Sequence, residues 1–364
     1  MWLRLHRWTA LTLGWLLALT ALLGSALVVA PSLDRWANPQ LFESRATDGV
    51  PALQPIRQRL VAEFGPETNL TLRPPRTASD TLWVRVRGRW NGTVYFDPVS
   101  GIEQGRRGEH EGAYNLLFEL HSELLMGDSG KAVLTTVSLA YVLLLLTGLV
   151  LWWPRQWPPR LRVEWRQGAL RSLFDLHRTG GALVGVLILV SVTTGAYMAW
   201  PPMRGWVSQL AGQAPAPVPK VQAVATAPAA SLDVLVARAQ AEFPGAPIGY
   251  IHVPAQGTRP VQVRFRLSDD PHPNGLSSVW LHPVSAEVLA TRRWNALDPG
   301  ARAVAVIYPL HTGALGGPLH SLITALTGLT LSALGGTGLW LWWLRRRKAT
   351  PRTSSTTNKE KTCP

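Results

Sequence analysis

Four stretches of this chain run for 22 to 24 residues without a charged side chain: Trp8–Ala30, Ala132–Trp153, Thr179–Trp200 and Ser321–Leu344. About 20 apolar residues are enough for a helix to cross the hydrocarbon core of a bilayer. The sequence therefore reads as an integral membrane protein with four spans. A mean hydropathy of only +0.07 over 364 residues conceals this, because long polar stretches follow the first and third runs. The first run follows Arg4 and Arg7 and ends near the small residues of "SALVVAP", as a cleavable leader would. Leaders use an apolar core of about 7–15 residues, so the longer run here is expected to stay as a span.

Charge orients the spans. Residues 1–7, 154–178 and 345–364 together hold 15 of the 36 Lys/Arg but only 3 of the 22 Asp/Glu, which is +12 of the net +14. Short basic segments stay on the cytoplasmic side. Both termini and the 154–178 loop are thus expected inside, in a multi-pass protein of the bacterial inner (plasma) membrane. The two large polar segments are expected outside, and their near-neutral charge excludes nucleic acid as a partner. The basic tail reads as a solvated stop-transfer segment, facing lipid and water rather than a binding partner. Cys363, in that tail, is the single cysteine. No disulfide within the chain and no cysteine-based haem attachment or metal motif is possible.

The chain is written twice. "LHRWTALTLGWLLALTALLGSALV" from Leu5 aligns without gaps to "LHRTGGALVGVLILVSVTTGAYMA" from Leu176, and Gly24 and Gly195 each lie 18 residues beyond their histidine. In "ELHSELLMGDSGKAVLTTVSLAYVLLLLTGLVLWWPR" and "PLHTGALGGPLHSLITALTGLTLSALGGTGLWLWWLR" a histidine precedes a Trp-Trp pair by 31 residues and the glycine of a Thr-Gly step by 27. Both halves start and end inside, so they read as parallel repeats about an axis along the membrane normal.

The outer segments repeat too. "PALQPIRQRLVAEF" and "SLDVLVARAQAEF" have helical apolar spacing. "LTLRP", "TLWVRVRGRW" and "GTVYFDPVSGIE" alternate like strands, as do "IGYIHVP", "RPVQVRFRLS" and "SVWLHPVSAEVLATRRW". Each segment is expected to be a helix on its own small antiparallel sheet. Residues 211–230 are Pro/Ala-rich and read as a semi-rigid linker.

The hydrophobic–Asp–Pro–x–Ser–Gly strand end after a helix resembles a PepSY domain. "LHRW" and "LHRT" opening a span, with "LH…G…TGLxLWW" closing the next, resemble the PepSY-associated transmembrane helix family over nearly the whole chain to about residue 348. In the second outer segment His282 stands where Asp97 stands and Ala286 where Gly101 stands, which puts the tight turn there in question. The fold implied is a membrane all-α four-helix bundle with two periplasmic α+β (PepSY-like) domains, in two parallel repeats. Its parts are span 1 (1–31), the first outer domain (32–110), an interfacial segment with span 2 (111–155), a cytoplasmic loop (156–175), span 3 (176–202), the linker (203–230), the second outer domain (231–300), an interfacial segment with span 4 (301–346) and the basic tail (347–364). Members of the family include iron-regulated inner-membrane proteins, and some resemble haem-containing ferric-siderophore reductases.

None of the nine histidines lies mid-span. The repeat puts His6 and His177 at equivalent inner positions. Two imidazoles across such an axis are what a six-coordinate haem iron needs. Ala10 and Gly14, and Gly181 and Gly185, follow them by four and eight residues, a helix face with room for a flat macrocycle. Arg7 and Arg178 follow directly and suit propionate carboxylates. A plainer reading makes each an interfacial positive-inside residue, with Gly181 and Gly185 packing helices. His121 and His311 occupy equivalent outer positions, giving a second candidate pair; His320 is the alternative to His311. Gly148 and Gly338 read first as helix-packing residues that can serve as cofactor contacts as well, and Asp269, Asp270 and His272 as a solvated turn rather than a metal contact. Arg85, Arg87 and Arg89 alternate on one strand and would share a face, suited either to an anionic chelate or simply to solvent.

Taken with the resemblance, this placement implies two haem b groups bridging the membrane and reducing a ferric siderophore or similar iron chelate outside. The chain has no dinucleotide or P-loop motif, so a cytoplasmic flavoprotein or quinol would supply electrons. A second class, a non-enzymatic PepSY sensor, chaperone or peptidase-modulating module, would need no haem.

Overall fold

The computed structural model describes residues 1–44, 53–154, 156–159, 161–210, 212, 217–221, 229–255 and 259–349. Most of the 211–230 linker and the tail beyond residue 349 lie outside the described residues. The helices used below are α1 Trp2–Ala37, α2 Leu53–Phe64, α3 Ala113–Glu123, α4 Gly127–Trp152, α5 Ala169–Ala199, α6 Leu232–Glu242, α7 Ile307–His311 and α8 Gly317–Ala349.

Four of these helices, α1, α4, α5 and α8, are long and apolar enough to cross a membrane. They pack side by side, α1 on α8 and α4, and α5 on α4 and α8. Lipid tails are as apolar as leucine, so helix association in a membrane rests on close backbone approach and hydrogen bonds. The α1–α8 contact has both. Ser25 Oγ donates to the Ala325 carbonyl at 2.9 Å and Ser332 Oγ to that of Ala18. A side chain at Gly335 would collide with Ala18. Leu22, Leu146, Leu183 and Val186 stay exposed on the outer faces, where lipid would cover them. The first helix runs past the expected boundary at 31, with Pro31 inside it, and contains a π-turn at Ala10–Gly14. Residues Pro201–Leu210 are helical where linker was expected from 203.

The outer segments differ from expectation in a more consequential way. Their strands are β1 Asn69–Arg73, β2 Leu82–Arg87, β3 Gly92–Phe96, β4 Glu103–Gly108, β5 Ile248–Val253, β6 Val261–Phe265, β7 Ser277–Leu281 and β8 Val288–Arg292. They form one antiparallel sheet in the order β4-β3-β2-β1-β5-β6-β7-β8. Two separate small sheets would each leave an edge at β1 and β5 with unpaired backbone groups. Pairing Leu70 with Val253, Thr71 with His252 and Leu72 with Ile251 removes both edges. Helices α2 and α6 lie on one face over a shared core that includes Leu60, Leu72, Val84, Leu235, Ile251 and Phe265. They cap one another: Asp233 accepts from the Leu53 and Gln54 N–H groups, and Gln54 Oε1 accepts from that of Leu232.

The turn put in question by His282 and Ala286 is present in both halves. Asp97 Oδ1 accepts from the N–H groups of Val99 and Ser100. His282 Nδ1 accepts from those of Val284 and Ser285, each at 3.2 Å. An imidazole lone pair thus replaces a carboxylate. Gly101 has φ +67° and Ala286 φ +59°, so the alanine holds a left-handed conformation that a Cβ disfavours.

At the β1–β5 seam His252 Nδ1 lies 3.0 Å from Thr71 Oγ1. Burial, aided by the Arg264 cation, pushes the His252 pKa down to about 4.

Two outcomes follow. Ala286→Gly is expected to raise stability by about 0.5–1 kcal/mol in denaturant melts, by relieving the left-handed strain. A histidine whose folded pKa lies below its unfolded value stabilises fully above the unfolded pKa, and that contribution is lost as pH falls towards about 4. His252→Gln is therefore expected to flatten the loss of unfolding free energy in denaturant melts between about pH 6.5 and 4 by on the order of 1 kcal/mol relative to the parent.

Candidate functional site

The four long helices bring the histidines together as two pairs, one at each end. His6 on α1 and His177 on α5 meet at the end away from the sheet, with ring centroids 6.3 Å apart and planes at 84°. His121, near the end of α3, and His311, ending α7, meet at the sheet end, with centroids 6.3 Å apart and planes at 36°. Along α1, His6 and Gly24, which seats His121, are 18 residues apart, or about 27 Å at the helical rise.

Each ring is held by Nδ1 against a neighbouring helix. His6 Nδ1 lies 2.9 Å from Thr147 Oγ1, whose own proton goes to the Leu143 and Leu144 carbonyls. His177 Nδ1 lies 3.1 Å from the Leu334 carbonyl and 3.2 Å from Thr337 Oγ1. His121 Nδ1 lies 2.9 Å from the Thr20 carbonyl. His311 Nδ1 lies 3.0 Å from both the Ser191 carbonyl and Thr194 Oγ1. A carbonyl only accepts, and a hydroxyl already donating elsewhere accepts as well. All four Nδ1 atoms therefore carry the proton, and all four Nε2 atoms keep a lone pair. A metal-binding histidine is held by this same kind of second bond.

Glycines make these seats possible. A Cβ at Gly24 would stand 2.7 Å from His121 Cε1, and one at Gly195 3.0 Å from His311 Cε1. At Gly148 and Gly338 the corresponding distances to His6 and His177 are 3.4 and 3.3 Å. The Thr-Gly steps, read from sequence as helix packing, are thus half of the histidine seats: Thr147 with Gly148, and Thr337 with Gly338. Their repeated spacing was the available signal, but it counts from the outer histidine of the same span, whereas each step seats an inner histidine of another helix. Gly181 and Gly185 have nothing within 4 Å of an added Cβ, so space is open along the His177 face.

The remaining candidates sort differently. His320 Nδ1 accepts from the Gly316 N–H at 3.2 Å, the opposite role from the other four, so it closes its own turn and not the pair with His121. Arg7 is exposed with its guanidinium over Trp8, and Arg178 is half-buried. Asp270 accepts from the backbone of His272 and Leu276, and Asp269 from the side chains of Trp294 and Asn295, as a turn would.

A cavity of about 930 Å³ opens around His121 and His311 and reaches up to the sheet, where Arg85 and Arg87 line it. Arg87 pairs with Glu109 at 2.5 Å, and Arg89 lies beyond β2 near Gly65. Glu119 in the wall is 5% exposed and meets His110 Nδ1 at 2.6 Å; that bond holds the His110 pKa above its ordinary value. The cavity falls in the range of pockets that enclose a cofactor or ligand, about 300–1,000 Å³.

Chemically, each pair brings two imidazoles with unprotonated Nε2 atoms together at one end of the helices, ring centres 6.3 Å apart. A metal ion held between two such rings would need about 2 Å per metal–nitrogen bond and about 1 Å from each nitrogen to its ring centre, which is compatible with a separation of about 6 Å. Among the described residues, no group of three or more His, Cys, Asp or Glu is placed to hold a bare metal ion.

A family model described as "PepSY-associated TM region" matches residues 3–345. No curated protein matches the chain.

The tight outer seats give a graded expectation. Gly24→Ala is expected to displace His121 and cut ligand or cofactor occupancy at the sheet end several-fold, leaving the other end intact. Gly148→Ala, with more room, is expected to change occupancy less than twofold. Site-resolved absorption spectra of the two purified variants check this.

Proposed function

We propose that this chain, which belongs to the PepSY-associated TM family, is a transmembrane electron conduit holding two haem b groups, one between His6 and His177 and one between His121 and His311. The observation that carries the reading is that two histidine pairs, at opposite ends of the long helices, have the same centroid spacing and the same free nitrogen. When bound, haem supplies a one-electron redox iron at each pair. The donor set suits it: the macrocycle brings four nitrogens in plane and asks the protein for two, whereas a structural zinc asks for four. With Cys363 the single cysteine, retention is non-covalent.

The chain's own groups do the positioning. The Nδ1–H bonds to Thr20, Thr147, Ser191 and Leu334 fix each tautomer and make Nε2 a better donor. The charge-free spans between the two pairs keep the dielectric low there. The open face at Gly181 and Gly185 leaves space beside His177. The basic loops and tail favour a bacterial inner-membrane orientation with the His6–His177 pair at the cytoplasmic face, both termini inside and the sheet in the periplasm. No dinucleotide fingerprint is present, so the donor is a cytoplasmic flavoprotein or quinol. The acceptor is a ferric siderophore or similar chelate at the sheet end. Reduction to Fe(II) weakens its hold by hard oxygen ligands, which prefer the more charged ion.

The protein purified from membranes is expected to show b-type bands in a reduced-minus-oxidised spectrum, with about two haems per chain by pyridine haemochrome. His6→Ala or His177→Ala should halve the content, and so should His121→Ala or His311→Ala; His320→Ala should leave it unchanged. Absence of b-type bands in the parent would leave a tethered PepSY sensor, chaperone or peptidase-modulating module as the reading.

A further inference from the structure

Three side chains that carry hydrogen-bond donors, Arg85, Tyr114 and Tyr308, line the cavity above His121 and His311 with no acceptor from the protein among the described residues. Arg85 on β2 points from the sheet into it. Other arginines nearby are neutralised: Arg87 by Glu109, Arg107 by Asp34 and Arg35 by Asp80. Among the described residues, no carboxylate lies within ion-pairing distance of Arg85. Tyr114 on α3 stands seven residues before His121, and Tyr308 on α7 three before His311, so each phenol shares a helix face with its histidine. Both line the same cavity. Among the described residues, neither phenol oxygen has a hydrogen-bond partner. Burial holds both phenols above their ordinary pKa, so they remain neutral donors at any physiological pH.

Arg85 and Tyr308 are solvent-exposed and Tyr114 half-buried, so water serves these donors until an anionic group entering the cavity replaces it. We infer that Arg85, Tyr114 and Tyr308 form a carboxylate-binding roof over the His121–His311 pair. This inference rests on the functional reading above for the identity of its ligand, but not for the chemistry of the donors. A guanidinium takes a carboxylate through two parallel N–H bonds, and phenols add donors to the same oxygens. Two sources carry that group: the carboxylate arms of an anionic ferric chelate, or the propionates of a haem seated on His121 and His311. In the first case the roof selects acidic, citrate-like chelates over neutral or cationic hydroxamates.

The test uses the purified full-length protein, with ferric citrate and a cationic ferric trihydroxamate as probes and transfer of haem to apomyoglobin as a second readout. If the chelate is the source, Arg85→Gln weakens ferric citrate binding about tenfold or more. The paired variant Tyr114→Phe/Tyr308→Phe weakens it several-fold, and trihydroxamate binding and haem content stay unchanged. If the propionates are the source, Arg85→Gln leaves citrate binding alone and speeds loss of one of the two haems several-fold, with Arg85→Lys restoring part of the retention. Arg89→Gln, off the cavity, should match the parent in both readouts. Arg85→Gln within twofold of the parent in citrate affinity and in haem transfer overturns the inference. A parent that carries no haem sinks the functional reading instead, and the citrate arm still decides whether the roof binds carboxylate.

Discussion

A hydrogen bond from imidazole Nδ1 to a neighbouring helix is the interaction on which the rest of this structure turns. It occurs four times, to Thr147, Leu334, Thr20 and Ser191. In an apolar span a buried polar group without a partner is expensive, so each bond first satisfies the ring. It also ties one element to another: α1 to α4, α5 to α8, α3 to α1 and α7 to α5. Finally it decides which nitrogen keeps its lone pair. The same contact that helps assemble the helices thus prepares the donor.

The sheet above them is part of the same arrangement. Joining β1 to β5 makes one rigid eight-stranded cover instead of two hinged lobes. One face is filled by α2, α6 and the apolar core. Strand alternation then sends Arg85 and Arg87 to the opposite face, over the His121–His311 cavity. Apolar burial on one side therefore accounts for a polar ceiling on the other.

Much of this was legible in the residues. Charge-free runs of span length admit one interpretation, and four long apolar helices are present. The gapless repeat of "LHR" and of the Trp-Trp ends pointed to the histidines that do meet. Other features depend on contacts a linear pattern does not carry. "EQGRRG" has no strand alternation, yet β4 forms because β3 offers it an edge. The β1–β5 pairing needs two segments over 170 residues apart to meet. The π-turn after His6 leaves no compositional trace. His282 and Ala286 put a turn in question, and an imidazole lone pair and a tolerated left-handed alanine preserve it. The Thr-Gly steps were visible as helix-packing positions, but which histidines they pack against depends on contacts between helices.

In the proposed function each histidine pair holds one haem iron, and the relative orientation of the two rings differs between the two ends. Low-temperature electron paramagnetic resonance of the oxidised, purified protein tests it most directly. Ring planes near 84° in one pair and 36° in the other should give two distinct low-spin ferric signals, a highly anisotropic one with a large leading g value and an ordinary rhombic one. An axial high-spin ferric signal at full intensity, meaning at most one imidazole per iron, would contradict the account.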